Sequence, residues 1–272
     1  KEVEAPALPT PVAETVKAVI PGYVTLDLIG AGGFSTVFRA RDEEGNIVAL
    51  KIMNITDKDT KKVFMREISF WKPLEHPNIV KLLDYGIEPV PFIAMELMDG
   101  TLRDKLKEGP LSVKEALKIV LNVAMALEYA HKEFALVHRD IKPENVLFKG
   151  EVYKLSDWGL ASVQTMLTAS GYTGTIFYSA PEQFDKSFGS ISFWTDVWQL
   201  GAMFYEMITG ELPFGKELGE VIKNVLYGEP KKPEGIDKEV WELIKAMLNK
   251  KPSERITLSE LISRIKELIE KL

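Results

Sequence analysis

The sequence predicts an α+β fold, with a small β-rich part first and a larger, mostly helical part after it. Residues 23–54 contain short runs of β-branched and apolar residues separated by glycine-containing turns, a pattern typical of antiparallel strands. Beyond residue 111, long segments carry an apolar residue every three or four positions, as amphipathic helices do. Strands grouped ahead of a run of helices indicate the α+β class.

The composition excludes several classes of function. A chain of 272 residues can bury a large core in one or two lobes. The net charge of -6 argues against nucleic acid as a partner, because duplex-binding proteins usually present a basic stripe. Without cysteine there is no disulfide and no thiolate nucleophile, and three scattered histidines do not indicate a metal cluster. No run of about 18 uninterrupted apolar residues occurs, so we predict no membrane span.

Residues 1–22 are predicted to be a proline-rich linker or tail. Their four prolines and few large apolar side chains favour extended chain, although residues 12–20 could form one or two helical turns. Folded structure is expected to begin near Tyr23. The chain starts at Lys1 with no secretory hydrophobic segment, so we expect a cytoplasmic protein or the cytoplasmic domain of a longer one.

Three strands in a meander are predicted first, at Val24–Ile29, Val37–Arg39 and Ile47–Ile52. The turn between the first two reads GAGGFSTV, which matches the glycine-rich pattern GxGxxGxV except that Ser35 replaces the last glycine. Glycines let a backbone approach phosphates and point N–H groups at them, but an ordinary hairpin turn also explains them. A phosphate site becomes the better interpretation because Lys51 follows on the third strand, in the run VALK.

A helix and two further strands complete the first part of the chain. The predicted helix, Asp57–Lys72, has an apolar stripe with Glu67 beside it. A glutamate in this position is usually a solvated charge, and it becomes an ion-pair candidate only opposite the lysine of the third strand. The two strands are predicted at Ile79–Tyr85 and Pro91–Glu96, and Asp99-Gly100 then breaks the pattern.

Four long helices are predicted in the second part, at Ser112–Glu133, Trp194–Thr209, Asp237–Leu248 and Thr257–Leu272. The first and the last begin with the sequence of a capping box. The second is apolar nearly all round, so we expect it at the centre of a helical lobe. Asp196 inside it must be paired or hydrogen-bonded, because an unpaired buried charge is costly.

One short polar loop, in the segment Leu136–Phe148, carries the strongest chemical signal. It places Asp140, Lys142 and Asn145 two and three residues apart, between two apolar runs. A carboxylate, an ammonium and an amide that converge on one point suit a base, a phosphate clamp and a metal ligand in phosphoryl transfer. A polyphosphate needs a further lysine and a further carboxylate, and the sequence offers Lys51 and Asp157 for these tasks.

The order of these motifs resembles that of the eukaryotic-like Ser/Thr type of the protein kinase family. The resemblance covers most of the chain, from the glycine turn at Gly30 to Arg255. It implies a bilobal protein-kinase fold, with a small β-rich N-lobe at residues 23–96 and a larger, mostly helical C-lobe at residues 97–272. It also makes the hydroxyl-rich stretch between Asp157-Trp158-Gly159 and Ala180-Pro181-Glu182 an activation segment.

The resemblance further implies an ATP-dependent transfer to Ser or Thr hydroxyls of a protein substrate, with Mg²⁺ or, alternatively, Mn²⁺ as the metal. Asp140 would orient the acceptor hydroxyl and accept its proton, while Lys142 would stabilise charge on the γ-phosphate. Asn145 and Asp157 would hold the metal, and Lys51, braced by Glu67, would grip the α- and β-phosphates. Met95 would be the gatekeeper, and main-chain groups of Glu96 and Met98 would meet the adenine. The residues expected around the nucleotide are Ile29, Gly30, Gly32, Gly33, Ser35, Val37, Ala49, Lys51, Met95, Glu96, Met98 and Leu147.

Structural roles also follow from the resemblance. An apolar column joining the lobes is expected from Trp71, Leu82, His138 and Trp158, with Trp158 in place of the usual phenylalanine. Arg255 is expected to pair with Glu182. Asp196 is expected to hold, near His138 and Arg139, the backbone of the loop that carries Asp140, Lys142 and Asn145, here called the catalytic loop.

Regulation by a phosphate on the activation segment is expected as well. Arg139, taken as a buried or half-buried cation without an assigned carboxylate, and Arg66 would pair with that phosphate. Thr168 and Ser170 are the preferred positions, ahead of Tyr172 and Thr173, while Thr175 and Lys142 carry the pattern of Ser/Thr-directed kinases. Alternatively, both arginines are solvated or pair with carboxylates of the chain.

Autophosphorylation between copies would imply transient self-association. The preferred positions and their alternatives lie in the stretch that contains Ser162, Thr165, Thr168, Ser170, Tyr172, Thr173 and Thr175.

Two other functions compete with an active protein kinase. A pseudokinase would bind nucleotide or partners without transfer, but such proteins usually lack Lys51, Asp140 or Asp157, all of which are present. A small-molecule kinase of related fold would lack the Ala180-Pro181-Glu182 segment and the buried-helix aspartate. The substrate is not defined by the sequence, although Glu144 and Glu96 could favour a basic peptide.

Overall fold

The structure, a computed structural model, describes residues 20–33, 35–163 and 174–272. Its first part is a five-stranded antiparallel sheet with the strand order β1-β2-β3-β5-β4. The hairpin of β1 and β2 carries the glycine turn, and β3 lies at the centre of the sheet. The strands are β1 Tyr23–Ala31, β2 Ser35–Asp42, β3 Ile47–Met53, β4 Leu82–Gly86 and β5 Phe92–Glu96.

A small hydrophobic cluster fills one side of this sheet and includes a residue from ahead of the first strand. Ile20 is buried there against Leu50, Phe92 and their neighbours, and its carbonyl accepts a hydrogen bond from Tyr23 N–H at 3.1 Å. Packing against the sheet therefore begins before residue 23, the boundary expected from the sequence.

A single long helix, α1 (Lys58–Trp71), lies between β3 and β4 in the chain and belongs to the main hydrophobic core. Asp57 begins it as the N-cap, accepting from Thr60 N–H at 2.8 Å, a contact that stabilises a helix by about 1 kcal/mol. Its buried face contains Phe64, Ile68 and Trp71, the stripe that the sequence predicts.

A second, three-stranded sheet lies in the second part of the molecule, and its last strand bridges to the first part through Leu155 and Ile79. Its strands, in the order β6-β7-β8, are β6 Gly100–Thr101, β7 Val146–Lys149 and β8 Val152–Leu155. These strands have only two to four residues, too few for a period of two to stand out, and the sequence analysis missed them. Their position matters because β7 follows the catalytic loop directly and β8 leads to Asp157.

The second part of the molecule is helical. Its longest helix, α3, packs against α5 and α8, and α5 also packs against α7. Four single-turn 3₁₀ helices, at Pro143–Asn145, Gly174–Phe177, Lys186–Phe188 and Pro252–Glu254, connect the larger elements within the described residues. The α-helices are α2 Leu102–Leu106, α3 Val113–Phe134, α4 Pro181–Phe184, α5 Phe193–Thr209, α6 Leu218–Tyr227, α7 Lys238–Met247 and α8 Leu258–Lys271.

The two predicted capping boxes are only half formed. Ser112 and Thr257 each accept from the backbone N–H three residues later, at 3.2 Å. The reciprocal contacts are absent from the described hydrogen bonds because the glutamates bind elsewhere. Glu115 accepts from Lys105 and Tyr153, and Glu260 pairs with Arg264.

Helix α5 occupies the centre of the helical lobe, as the sequence predicts. Thirteen of its residues are buried, including Asp196, Gln199 and Glu206. Such polar groups are tolerated in a core only when they are hydrogen-bonded. Each of the three makes contacts that shape the candidate site, as described below. None of the described helices is long and apolar enough to cross a membrane.

Lys250 is an unusual cation in the helical lobe. Its Nζ donates to the carbonyls of Asn224 and Val225 at the end of α6, at 3.1 and 2.8 Å, and lies over the rings of Trp198 and Phe214. Burial lowers the pKa of Lys250 from 10.5 to about 8, and the positive charge of Arg255 acts in the same direction.

This depressed pKa predicts a pH dependence of stability. Between the folded value of about 8 and the unfolded value of 10.5, the unfolded chain binds a proton that the folded chain has released. The free energy of unfolding should therefore gain a component that rises with pH across this window. Urea titrations of the wild type and Lys250→Met test it: the wild type should gain stability relative to the variant as pH rises, and parallel curves would exclude the shift.

Candidate active site

The catalytic loop holds its three polar side chains in direct contact. Lys142 Nζ lies 2.9 Å from the carboxylate of Asp140. Asn145 Nδ2 donates to the carbonyl and to the carboxylate of Asp140, at 2.7 and 2.8 Å. Asp140 and Asn145 are buried, so both contacts lie in a medium where water competes weakly with them. The structure thus brings together the carboxylate, ammonium and amide that the sequence places on one loop.

Asp196 binds the backbone of the catalytic loop. Its carboxylate, fully buried in α5, accepts from the backbone N–H groups of His138 and Arg139 at 2.9 and 2.8 Å. It also contacts His131 Nε2 at 2.8 Å. The expected contact between this aspartate and the loop backbone is therefore present.

A glutamine that the sequence analysis did not single out fixes the same loop. Gln199 Oε1 accepts from Ile141 N–H at 2.9 Å, while its Nε2 donates to the carbonyl of Arg139 at 2.9 Å and to Gln183 Oε1 at 3.0 Å. Arg139 has a positive φ of 70°, an unfavourable backbone conformation that these contacts and Asp196 maintain. A glutamine inside a mostly apolar helix, three residues after Asp196, is a signal in the sequence that indicates a buried polar contact.

Lys51 and Asp157 form the second half of the site. Lys51 Nζ lies 2.6 Å from Asp157 Oδ2, and both side chains are largely buried. Asp157 has a positive φ of 60° and follows β8, which places its carboxylate opposite the central strand β3. The hydrogen bonds of Ser156 N–H and Oγ to the carbonyl of Asn145, at 2.9 and 3.0 Å, tie this segment to the catalytic loop.

The predicted ion pair between Lys51 and Glu67 is not formed, and this part of the prediction is wrong for the structure as described. The ammonium of Lys51 is engaged by Asp157. Glu67 Oε1 accepts from Nε and Nη2 of the neighbouring Arg66, at 3.1 and 2.7 Å. The carboxylate of Glu67 is therefore bound by its neighbour in the sequence and not by the strand lysine.

Gly159 sets the distance between the Asp157 segment and α1. A Cβ atom added at this position would lie 2.6 Å from the carbonyl oxygen of Glu67, and the φ of Gly159 is +77°. Only glycine satisfies both conditions without strain. The segment that carries Asp157 thus packs against the turn of α1 that carries Glu67.

The oxygen atoms at this point fit a divalent cation. Asp157 Oδ1 is buried and has no hydrogen-bond partner, although its other oxygen holds Lys51. The amide of Asn145 uses its nitrogen for Asp140, so its oxygen is the acceptor that remains. The described residues contain no group of three or more histidines and carboxylates that could hold a metal alone. Magnesium sites that rely on substrate phosphates need only one or two protein ligands, as here.

Five of the apolar residues expected around the nucleotide belong to the main hydrophobic core or pack against it. Ala49, Met95 and Met98 are buried members of the main core, and Val37 and Leu147 are half-buried against it. Met98 N–H donates to no acceptor among the described residues, so a ligand acceptor would satisfy it. The described hydrogen bonds therefore fit the expected main-chain contact of this residue with an adenine ring.

The glycine turn leaves room for a ligand. Neither Gly32 nor Gly33 is crowded by the protein, since added Cβ atoms would meet nothing closer than 3.9 Å. Gly30 pairs with Val37 across the hairpin, Gly32 N–H donates to the carbonyl of Ser35 at 2.9 Å, and Ile29 is 48% exposed. The packing of the protein does not require these glycines, which is consistent with a close approach by phosphates.

Part of the expected apolar column is visible as direct contacts. The rings of His138 and Trp158 meet edge to face with centroids 4.7 Å apart, and both residues are buried. Trp71 is fully buried in the same core, where its Nε1 donates to the carbonyl of Val80 at 2.8 Å. Leu82 is half-buried against that core. Both indoles are thus accommodated, and Trp158 donates to the carbonyl of Leu155.

The predicted pair of Glu182 and Arg255 is present and completely buried. Two parallel contacts of 2.7 and 2.8 Å join the guanidinium to the carboxylate, and neither side chain is exposed. Arg255 also donates to the carbonyls of Asn249 and Trp194, and Thr195 Oγ1 donates to Glu182. Both charges are therefore compensated by further hydrogen bonds.

The expected regulatory positions are described only in part. Thr168, Ser170 and Thr173 lie outside the described residues, and Thr175 is described only as part of a 3₁₀ helix. Arg139 is exposed, so the expectation that it is buried or half-buried is wrong. His138 and Asp140 on either side of it are buried, and the positive φ of Arg139 lets its side chain lie at the surface between them. Arg66 and Arg139 both line one cavity of about 460 Å³ between α1 and the catalytic loop.

A family model described as the protein kinase domain matches residues 23–265, nearly the whole described chain. The chain belongs to the protein kinase family. The fold agrees with this assignment, because a β-rich N-terminal part and a helical C-terminal part are its architecture. As a family, protein kinase domains transfer phosphoryl groups from ATP with the help of divalent metal ions.

Several curated relatives resemble this kinase over much of its length. It is 37% identical over 203 residues to a probable serine/threonine-protein kinase of Clostridium perfringens, across 71% of this chain and 29% of the relative. It is 32% identical to the serine/threonine-protein kinase PkaA of Streptomyces coelicolor, across 91% of this chain and 50% of the relative. It is 35% identical to the serine/threonine-protein kinase PrkC of Bacillus subtilis, across 74% and 32%. The chain thus spans half or less of the length of these relatives.

Proposed function

We propose that this kinase transfers the γ-phosphoryl group of Mg-ATP to Ser or Thr hydroxyls of proteins. The observation that carries the proposal is the contact geometry of Asp140, Lys142 and Asn145 beside the buried pair of Lys51 and Asp157. The three relatives described above are named serine/threonine-protein kinases, which supports the acceptor class. Lys142 of the catalytic loop belongs to the Ser/Thr-directed pattern of the family.

The roles of the site residues follow from two changes during transfer: the acceptor hydroxyl loses a proton, and negative charge shifts on the phosphate oxygens. Asp140 is held by Asn145 and Lys142, so its carboxylate can orient an acceptor hydroxyl and accept its proton. Lys142 lies beside it and stabilises negative charge on the transferred group. A divalent ion, when bound by Asn145 and Asp157, would neutralise charge on the phosphate oxygens.

Lys51 has to serve both the protein and the nucleotide. Its ammonium contacts Asp157 in the structure, and phosphate oxygens would compete for the same three donors. Glu67, buried beside the Asp157 segment, can then brace Lys51 if Arg66 releases it. The pairing of Lys51 with Glu67 is therefore retained as a proposal for the nucleotide-bound enzyme only.

The acceptor class can be tested with peptide libraries that carry Ser, Thr or Tyr as the sole hydroxyl acceptor. We expect phosphorylation of the Ser and Thr libraries with ATP and Mg²⁺, and a comparison with Mn²⁺ identifies the preferred metal. Phosphorylation of the Tyr library alone would contradict the proposal. Binding of ATP without transfer to any library, or to the kinase itself, would favour a pseudokinase.

Asp157→Asn is expected to remove metal-dependent turnover while the fold survives. The substitution replaces the carboxylate whose Oδ1 is unpartnered by an amide that coordinates a cation far less well. Melting temperatures with ATP, with and without Mg²⁺, give a readout besides activity: Mg²⁺ should add stabilisation in the wild type but not in the variant. Retention of most of the Mg²⁺-dependent activity would show that another group holds the metal.

We also propose that a phosphate on the activation segment exchanges the partners of Arg66. Two guanidinium groups line the cavity beside α1, and Arg66 is the one that holds Glu67. A phosphate carries about two negative charges and three acceptor oxygens, enough to attract Arg66 and Arg139 together. Glu67 would then be free to reach Lys51. Thr168 and Ser170 remain the preferred sites, followed by Tyr172 and Thr173.

This regulation predicts that phosphatase treatment lowers the activity of the wild type but not that of Arg66→Ala. The variant cannot couple the phosphate to Glu67, so its activity should be the same before and after treatment. The double variant Thr168→Ala, Ser170→Ala should behave like the treated wild type. If neither residue carries phosphate and the double variant keeps full activity, the regulation is absent. A rate of autophosphorylation per molecule that rises with protein concentration would support transient self-association.

The cytoplasmic location expected from the sequence also stays a prediction, based on the need of an ATP-dependent transferase for that nucleotide. The domain division at residues 22 and 96 is a proposal as well. The boundary at residue 96 is supported by the end of β5 at Glu96, whereas the packing of Ile20 on the sheet argues for a first boundary slightly ahead of residue 22.

A further inference from the structure

Arg103 links three parts of the helical lobe beside the catalytic loop. It lies in α2, and its Nε donates to Glu144 Oε1 at 2.7 Å, its Nη1 to Glu206 Oε1 at 2.7 Å and its Nη2 to the hydroxyl of Tyr178 at 2.6 Å. Tyr178 in turn donates to Glu206 Oε2 at 2.6 Å. These four residues form what we call the arginine cluster, in which one guanidinium satisfies two carboxylates and a phenol.

The position of the arginine cluster places it next to the reacting groups. Glu144 stands between Lys142 and Asn145 in the 3₁₀ turn of the catalytic loop, and its side chain is 47% exposed. Tyr178 lies in the segment that leads to α4. A peptide that delivers its hydroxyl to Asp140 must pass the neighbours of the catalytic loop, so residues flanking the acceptor can reach Glu144.

The charges of the cluster favour a bound cation. It contains two carboxylates, and Glu206 is largely buried, so removal of the guanidinium would leave a poorly solvated negative charge. Burial by itself would lower the pKa of Arg103, but the hydrogen bond to Glu206 and the charges around it raise that pKa instead. Burial also raises the pKa of Tyr178, which keeps its hydroxyl neutral. The site is thus built to hold a guanidinium by planar, directed contacts.

Glu96, the other carboxylate expected to favour a basic peptide, is also paired with a cation of the chain. Glu96 is bound by Lys154 Nζ at 2.7 and 2.9 Å and accepts from Lys81 N–H at 2.7 Å. Both Glu144 and Glu96 therefore have a cationic partner within the chain. The expectation that they favour a basic peptide does not agree with these pairings.

We propose that Arg103 fills, from within the chain, a guanidinium site beside the acceptor hydroxyl, and that it thereby excludes selection for arginine in the substrate. Arg103 is in this sense a specificity-determining residue: the kinase accepts peptides without an arginine at the position that reaches the cluster. The proposal rests on the proposed function, because it concerns the substrate of that reaction. It also predicts that removal of the Arg103 side chain makes the kinase select for arginine in the peptide substrate.

The test compares peptide pairs that differ only in arginine or glutamine at one position, with each flanking position examined in turn. For the wild type, the ratio of the two phosphorylation rates should be near unity at every position. For Arg103→Ala, the ratio should rise by roughly tenfold or more at one position, the scale expected for directed contacts between a guanidinium and a carboxylate. Arg103→Lys, which keeps a cation in the cluster, is the control and should gain much less.

The carboxylates must be responsible for the gain. In the double variant Arg103→Ala, Glu206→Gln, the preference for arginine should fall back toward unity, since one of the two charges is gone. A wild type that already prefers arginine at that position would overturn the proposal, as would Arg103→Ala without any gain. Because each ratio is measured within one enzyme preparation, lower stability or lower total activity of a variant does not alter the result.

A binding measurement separates this proposal from the proposed function. Methylguanidinium should raise the melting temperature of Arg103→Ala more than that of the wild type, whereas methylammonium, of equal charge, should act more weakly. If no peptide is phosphorylated by any variant, the proposed function fails, and this thermal shift still decides whether the cluster is a guanidinium site. Equal shifts for the wild type and Arg103→Ala would contradict it.

Discussion

Asp140→Asn is expected to slow phosphoryl transfer by roughly 10²-fold or more, the usual scale for removing a positioned base. The substitution preserves the size of the side chain and its acceptor for Asn145, whose Nδ2 lies 2.8 Å from the carboxylate. It removes the negative charge that accepts the hydroxyl proton and that faces Lys142. The chemical step should therefore suffer while the loop keeps its shape.

Two controls show whether the loss of rate in Asp140→Asn is specific to the chemical step. Calorimetric titration with ATP should give nearly the same affinity for Asp140→Asn as for the wild type, because Asp140 is assigned to the acceptor and not to the nucleotide. Asp59→Asn, whose side chain is 85% exposed on α1, should leave the rate unchanged. Loss of ATP affinity in Asp140→Asn would contradict a purely catalytic role for this residue.

Arg255→Met is expected to lower the free energy of unfolding by about 3–5 kcal/mol, the range for breaking a buried ion pair from one side. The variant leaves Glu182 without the guanidinium, in a place where neither side chain is exposed. Thr195 Oγ1 would remain as a partner, but one neutral hydroxyl does not compensate a buried charge. The carbonyls of Asn249 and Trp194 would lose a donor as well.

The matched control for this variant is Arg264→Met. Arg264 pairs with Glu260 on α8, but both side chains are about half exposed, so the expected loss is only about 0–1 kcal/mol. Urea unfolding of the wild type and the two variants gives the comparison directly. Equal stabilities for Arg255→Met and Arg264→Met would mean that the buried pair has no structural importance.

Much of the architecture could be predicted from the sequence because its signals are local and repeated. Helix α5 was predicted from residue 194 and begins at Phe193, and α1 was predicted within one residue at each end. Asp196 was expected to have partners on physical grounds alone, since a charge in an apolar helix must be satisfied. The contact of Glu182 with Arg255 required the resemblance to a family, because 73 residues separate the two.

The parts that could not be predicted depend on competition between partners in space. The sequence cannot tell that the carboxylate of Glu67 binds Arg66 beside it while Lys51, its expected partner, binds Asp157. The arginine cluster joins residues from four separate segments, so no periodicity or spacing reveals it. The short strands β6 to β8 depend on one another for pairing and carry too few residues to signal a strand.

Glu144 has a cationic partner in the structure that its place in the sequence does not reveal. An exposed glutamate beside a catalytic aspartate is an obvious candidate for a basic substrate. In the structure its carboxylate is already bound by Arg103. A prediction of specificity from residue type alone therefore fails when a cation of the same chain is in reach.

The central claim is that the site around Asp140 and Asp157 transfers phosphoryl groups to Ser or Thr. Intact-protein mass spectrometry, followed by peptide mapping, of the purified kinase after incubation with ATP and Mg²⁺ tests it most directly. We expect added phosphoryl groups on Ser or Thr in the wild type, none when the metal is chelated, and almost none in Asp140→Asn. Equal phosphorylation of the wild type and Asp140→Asn, or an unmodified wild type that also phosphorylates no added protein, would contradict the claim.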